Sequence, residues 1–262
     1  MKQTKYPIYI ISKGRYNNCL TANYFEKEGL KFYIVVEPQE YELYVQKIHP
    51  SKILVLPFSN LNIGAAPARN WVWEHAIKNG SLKHWQFDDN IRRCNKYNKG
   101  KFKIITYYSA IVDIENYVDK YTNVGLAAMQ YKMFVTHTTT KAIVKNKRVY
   151  SAMLIDNKLP YRWRLPFNSD VDLSLQVLHN GLCTLLFNVY SCEKQPTMSM
   201  KGGNTERYKK VGRYIMSKTI YNEWPQYIEI KKKFNRYQHH FNKNYQNKFT
   251  QKLILNGEDN KK

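Results

Sequence analysis

Two adjacent carboxylates, Asp88 and Asp89, close the short apolar stretch Trp85-Gln86-Phe87. A strand that stops on acidic residues presents negative charge at the carboxyl edge of a sheet, where open α/β sheets receive their ligands. Two hard oxygen donors at that edge suit a divalent cation that also touches phosphate. Asp88 and Asp89 are therefore the candidate ligands for Mn²⁺ or Mg²⁺. Aspartate also caps helices and fills polar turns, so the pair gains meaning only from the residues around it.

Several of those residues also sit at strand ends. Ser12, Lys13 and Arg15 follow the β-rich run Pro7 to Ile11, and Glu37 follows Phe32 to Val36. In a parallel sheet all of them share one edge with Asp88 and Asp89. Serine and arginine can hold phosphate or the edge of a base, and a carboxylate such as Glu37 can accept from a base or ribose. The loop Asn62 to Asn70 contains Gly64 and small alanines, which let backbone approach a ligand closely. It leads into a helix whose N-terminus, together with Arg69, favours a diphosphate. This loop is neither a phosphate-binding P-loop nor a dinucleotide fingerprint, which counts against ATP and NAD.

Further along, Asn168-Ser169-Asp170-Val171-Asp172 opens another helix, with Asp170 expected as its N-cap and Asp172 in its first turn. Asp170 is the candidate general base, because a helix N-terminus keeps a carboxylate ionised. The loop Lys201-Gly202-Gly203-Asn204-Thr205, bordered by Arg207, Lys209 and Lys210, could close over a phosphate or an acceptor strand. His84, His137 and His179 are isolated and receive no catalytic role, and Trp71 and Trp73 read as core.

The elements that must position these groups alternate. Strands are expected at 7–11, 32–36, 53–56 and 85–87, with helices at 18–28, 40–47 and 68–78 between them. Such alternation indicates an α/β fold with a mainly parallel sheet flanked by helices. The middle of the chain predicts a helix over 104–119, strands over 124–131 and 142–146, and an arm over 148–156 that forms a hairpin with the strand before it. A helix over 170–180 and a strand over 183–189 follow. Beyond Val189 the character changes: residues 194–262 hold sixteen Lys/Arg against five Asp/Glu. That stretch predicts two units, a domain over 1–210 and a basic helical extension over 211–262.

Composition sets outer bounds. The chain has 262 residues, 43% of them hydrophobic, enough for a sizeable core rather than a disordered chain. Its net charge of +22 favours a polyanionic partner such as nucleic acid, a nucleotide or an anionic surface. A Lys-rich genomic bias is the plainer explanation of the same number. No run reaches the length of a membrane span, so a soluble, cytoplasmic protein is expected. Cys19, Cys94, Cys183 and Cys192 are widely spaced, which fits packed thiols better than a zinc site or a disulfide framework.

Taken in order, these motifs resemble a glycosyltransferase with a GT-A-type, Rossmann-like nucleotide-sugar fold. The match comprises strand ends Ser12-Lys13-Gly14-Arg15 and Val35-Val36-Glu37, then Gly64 with Ala68-Arg69-Asn70. It continues through Asp88-Asp89-Asn90 and the helix of Asp170-Val171-Asp172-Leu173 that stops at Gly181. More narrowly, residues 6–210 resemble the TET-associated glycosyltransferases of bacteriophages and their relatives. The resemblance implies a UDP-sugar donor, a divalent metal at Asp88 and Asp89, and transfer to a hydroxylated pyrimidine in DNA such as 5-hydroxymethylcytosine. It makes Asp170 the base of an inverting reaction, acting in the host cytoplasm if the source is viral. Asn90 departs from it, standing where many relatives keep a third carboxylate. Two other readings stay open: transfer to a polysaccharide, lipid or protein, and a DNA-binding module without catalysis.

Overall fold

Short β-branched runs alternating with helical segments build one ten-stranded sheet, in a computed structural model that describes residues 1–196 and 199–257. Strands β1 (Ile8–Ile11), β2 (Tyr33–Val36), β3 (Ile53–Val55) and β4 (Lys83–Asp88) pair in parallel in the order β3-β2-β1-β4. Helices α1 (Leu20–Glu28), α2 (Tyr41–Tyr44) and α3 (Ala66–Lys78) connect them. The carboxyl ends of β1, β2 and β4 therefore share an edge, as the sequence pattern requires.

After β4 the chain makes an antiparallel hairpin, β5 (Ile91–Asn98) and β6 (Lys101–Ile105), and then α4 (Tyr107–Val118) and β7 (Val124–Tyr131). The helix expected from residue 104 starts only at Tyr107, because Ile104 and Ile105 pair with Asn95 and Cys94. Next come β8 (Ile143–Lys145), β9 (Ala152–Asp156), α5 (Ser169–His179) and β10 (Cys183–Lys194). The expected hairpin of 148–156 with the strand before it does not form. Instead β9 slots between β4 and β7, antiparallel to both, while β8 pairs with β10. The full order is β3-β2-β1-β4-β9-β7-β10-β5-β6. β1 to β4, β6, β7 and β10 run one way, and β5, β8 and β9 run against them.

Both faces of this sheet are covered. Trp85 and Phe87 of β4 join Phe25 of α1 and Tyr107, Ile111 and Ile114 of α4 in one cluster. On the other face, Trp73 of α3 and Leu173 and Val177 of α5 pack with Leu126 and Ile155. Burial of each such large side chain contributes about 1.5–3 kcal/mol. Period-two alternation then fixes the polar side of β4. With Trp85 and Phe87 turned to α1 and α4, Gln86 and Asp88 face α3.

The basic C-terminal stretch is not the helix expected of it. It forms α6 (Thr205–Val211), α7 (Arg213–Glu223), a hairpin of β11 (Ile228–Lys233) and β12 (Arg236–Phe241), and the short α8 (Lys243–Lys248). Nor do its apolar residues make a separate core. Ile220, Trp224, Tyr227, Tyr245 and Phe249 cluster with Val171, Leu175 and Leu178 of α5, so this stretch braces the helix that carries Asp170. Residues 258–262, part of the expected extension, lie outside the described residues. No helix among the described residues is long and apolar enough to cross a membrane.

Candidate active site

A cavity of about 480 Å³ opens at the carboxyl edge of the sheet, within the size range of small-ligand sites. Ser12, Lys13, Arg15, Glu37, Gly64, Arg69, Asp88, Asp89, Asp170 and Gly203 all line it. Gly202 is the one expected site residue that does not, and it lies directly behind.

Asp88 sits at the tip of β4, where helix α1 clamps the turn. Thr21 donates to the Asp88 carbonyl at 2.6 Å and accepts from the Ile91 amide at 3.0 Å. On the α3 side, Arg69 donates to Asp88 Oδ1 at 2.7 Å and to Gln86 at 3.2 Å, and its guanidinium lies over the Trp163 ring. Asp88 Oδ2 accepts from Ser151 at 2.6 Å and from Lys194 at 2.7 Å. Burial alone would raise the Asp88 carboxyl, but Lys194 and Arg69 outweigh it and hold the group well below the usual carboxylate range. Burial likewise disfavours the Lys194 ammonium, and Asp88 and Tyr131 reverse that, raising it well above the ordinary lysine range.

Asp89 is served by a separate set of donors. Its Oδ1 pairs with Arg15 and its Oδ2 accepts from Ser12 at 2.8 Å, while Ser12 also bonds the Tyr44 hydroxyl at 2.6 Å. Burial pushes the Asp89 carboxyl up, with Arg15 and Ser12 opposing. Arg15 goes on to donate to the Lys201 carbonyl at 3.0 Å and the Gly202 carbonyl at 3.2 Å. The glycine loop is thus tied to the loop after β1, and Gly203 N–H donates to the Lys13 carbonyl at 2.8 Å. A Cβ on Gly202 would stand 2.6 Å from the Gly14 carbonyl oxygen, so only glycine permits this contact. Ser12 and Arg15, expected to touch a ligand directly, spend their main hydrogen bonds on Asp89 and this loop.

Glu37 is engaged as well. Lys13 donates to it at 2.7 and 2.8 Å, the Asn60 amide at 3.0 Å and Gln39 at 2.6 Å. Burial would raise its carboxyl, yet these donors leave it lowered. Gly64 takes φ +93°, and a Cβ there would lie 2.7 Å from the Pro166 carbonyl oxygen. Gly64→Ala is expected to destabilise the protein by about 1–3 kcal/mol from backbone strain alone, with the clash added. Urea denaturation checks this; an unchanged midpoint would mean that the loop moves freely away from Pro166.

Helix α5 presents Asp170 by a simple rotation. Its N-cap position is Asn168, at φ +53°, so both aspartates fall in the first turn and Asp170 is not the cap. Two residues apart on a helix are roughly 200° apart around its axis. Asp172 turns inward, fully buried, and accepts from Arg164 at 2.8 Å, Trp224 Nε1 at 2.8 Å and Gln176 at 2.9 Å. Asp170 consequently faces the cavity. Its carboxylate has no hydrogen-bond or ion-pair partner among the described residues, unlike those of Glu37, Asp88 and Asp89.

Lys194, Arg148 and Ser151 are among the lining residues that escaped the sequence reading. Lys194 ends β10, which runs parallel to β7, so it reaches the same edge as Asp88. The expected strand end at Val189 hid it. Arg148 lies over the Tyr150 ring, touches His239 of β12 at 3.3 Å, and has no carboxylate partner among the described residues. Ser151, at φ +60°, precedes an antiparallel strand and so also lies at this edge. The cavity wall then holds Lys13, Arg15, Arg69, Arg148, Lys194 and Arg213 against Glu37, Asp88, Asp89 and Asp170. Cations outnumber carboxylates, as an anionic ligand requires.

The expected metal finds a donor set that does not fit it. All four carboxylate oxygens of Asp88 and Asp89 already accept from protein donors, two of them from cations on Asp88 alone. Asn90 Oδ1 is buried without a partner, but it is a single neutral oxygen. No group of three or more His, Cys, Asp or Glu residues that could hold a metal occurs among the described residues.

Fold and cavity together define an α/β protein with a cation-rich cleft at the carboxyl edge of its sheet and, among the described residues, one unpartnered carboxylate, Asp170, in that cleft. Over residues 6–203 the chain matches the model of the TET-Associated Glycosyltransferase family, and it belongs to that family. A comparison with curated proteins finds no match.

Proposed function

We propose that this protein transfers a sugar from a nucleotide-sugar, a UDP-sugar, to the hydroxymethyl group of 5-hydroxymethylcytosine in DNA. The observation that carries this reading is the free carboxylate of Asp170, which faces the same cavity as the cationic floor around Asp88. A base without a partner and a cluster of cations are the two poles that glycosyl transfer from a diphosphate needs.

In this mechanism the donor lies along the carboxyl edge of the sheet. The nucleoside takes the side of Lys13 and Glu37, and the diphosphate lies towards Arg69, Arg148 and Lys194. Asp170 takes the proton from the acceptor hydroxyl. The acceptor oxygen bonds to the anomeric carbon as the bond from that carbon to the diphosphate breaks, with inversion. The leaving electron pair stays on the phosphate oxygen, where fixed cations stabilise it. Asn90 Oδ1, buried without a partner, can accept from a sugar hydroxyl.

Support for a nucleic-acid acceptor comes from charge and from the rim. Arg92, Arg93, Lys96, Lys99, Lys101 and Lys103 are exposed on the β5–β6 hairpin. Beside them, Phe102, Ile104, Met133 and Phe134 expose apolar surface, and Phe134 also lines the cavity. Basic side chains that track phosphates next to apolar groups that can stack on bases suit a strand with one base turned out of the helix. The test is a competition: labelled UDP-sugars offered together with hydroxymethylated duplex DNA, plain duplex DNA and free oligosaccharides. Label confined to the hydroxymethylated duplex is expected. Label in oligosaccharide would move the acceptor away from DNA.

A further inference from the structure

Asp88 holds two cations, and that is one more than it needs. Arg69 alone would neutralise it at 2.7 Å. Lys194 nevertheless approaches the other oxygen at 2.7 Å, with its side chain only 17% exposed. Its ammonium has three N–H donors, and three protein oxygens stand within reach: Asp88 Oδ2, Ser151 Oγ at 2.8 Å and Tyr131 Oη at 3.1 Å. Asp89 does not balance this excess, because Arg15 already pairs with it. A largely buried cation in surplus is unfavourable unless an anion completes the site. The cavity, which Lys194 lines, is where that anion can enter.

We infer that Lys194, seated on Asp88 beside Arg69, is a built-in cation for the donor diphosphate and takes the place of a divalent metal, so that the protein binds its nucleotide without one. This rests on the nucleotide-sugar reading above and sharpens it. The donor set supports the substitution: a divalent ion at Asp88 would lie against the Lys194 ammonium, and among the side-chain oxygens of Asp88, Asp89 and Asn90 only the neutral Asn90 Oδ1 lacks a protein partner. In the transfer step, the bond between the anomeric carbon and the β-phosphate oxygen breaks and its electron pair remains on that oxygen. The Lys194 ammonium, its three N–H donors held by Asp88, Ser151 and Tyr131, meets the new charge through its own fixed positive charge and gives up no proton. Strand β10 fixes where the Lys194 side chain begins, with a register shift between Cys192 and Lys194. Lys194 pairs with Ile91, and the residues before it pair with β7 and β5, so the ammonium is held at the edge by ladder hydrogen bonds rather than by a loop.

The test is calorimetric titration of UDP into wild-type protein in EDTA and again in excess MnCl₂. The two affinities are expected to agree within about twofold. In EDTA, Lys194→Ala is expected to weaken UDP by roughly tenfold or more, Lys194→Arg to retain most of the affinity, and uridine to bind wild type and Lys194→Ala alike. UDP binding that vanishes in EDTA and returns with Mn²⁺ would overturn the inference while leaving the donor reading intact. Equal UDP affinity for wild type and Lys194→Ala would also overturn it. Failure of wild type to bind UDP in either medium would instead remove the donor reading, and this inference with it. If Lys194→Ala fails to fold, the wild-type titrations still decide whether a metal is needed, and Lys194→Gln in EDTA, expected to weaken UDP as Lys194→Ala would, decides the role of Lys194.

Discussion

Asp170→Asn is expected to lower sugar transfer by roughly 10²–10⁴-fold, the usual contribution of a positioned general base, while UDP affinity stays within a few-fold of wild type. The expectation follows from what Asp170 lacks. Glu37, Asp88 and Asp89 each hold the architecture together through ion pairs, whereas Asp170 faces the cavity with no partner among the described residues. Asparagine keeps the shape and cannot accept the acceptor proton as a base. Helix α5 itself should be unaffected, because Asp172, Arg164 and Trp224 fix its orientation. Calorimetry with UDP and a transfer assay on the same preparation separate the outcomes. Lost UDP binding would assign Asp170 to binding or to structure rather than to proton transfer.

The second large effect is one of stability. Asp89→Ala is expected to destabilise the protein by about 3–5 kcal/mol, because it strands a largely buried guanidinium. Arg15 and Asp89 are 10% and 5% exposed, and after the substitution Arg15 would keep only the carbonyls of Lys201 and Gly202. The glycine loop should loosen with it, since Arg15 links that loop to the strand end. The double variant Arg15→Ala/Asp89→Ala is expected to lose less than the sum of the two single losses, the signature of a directly coupled pair. Urea denaturation of the three variants reads this. Additive losses, or a loss under about 1 kcal/mol of the kind exposed pairs show, would mean that the pair is not the anchor the geometry makes it.

Much of this arrangement was legible from local pattern. The first four strands and the helices between them follow β-branched runs, and Asp88 and Asp89 could be placed at a strand tip because Trp85-Gln86-Phe87 leaves little other reading. What was not legible depends on partners distant in sequence. Tyr190 to Lys194 looks too polar to continue a buried strand, yet β5 supplies the pairing that extends β10 to Lys194. The β5–β6 hairpin turns at Lys99-Gly100, both at positive φ, and β11–β12 turns at Phe234-Asn235, also both positive. Such two-residue turns usually announce themselves with Asn-Gly or Asp-Gly; here a lysine and a phenylalanine take the left-handed positions, so the usual signal is absent. The run Lys231-Lys232-Lys233 fits a solvated helix and an exposed hairpin strand equally well by composition.

The metal expectation shows the same limit at the level of chemistry. Adjacent carboxylates at a strand tip suggest a shared cation. Alternation along the chain instead sends Asp88 towards α3, Ser151 and Lys194, and Asp89 towards Arg15 and Ser12. Which cations would meet them was set by β10 and by the loop after β1, elements far apart in sequence.

The central claim is transfer of a sugar to a hydroxymethylated base, and mass spectrometry of nucleosides tests it most directly. Duplex DNA containing 5-hydroxymethylcytosine and a plain-cytosine control would each be incubated with a panel of UDP-sugars, then digested to nucleosides. A hexose or pentose increment on the modified nucleoside, absent from the control and from the Asp170→Asn reaction, is the predicted result. No increment with any donor, in a protein that binds UDP, would contradict the claim and place the acceptor elsewhere.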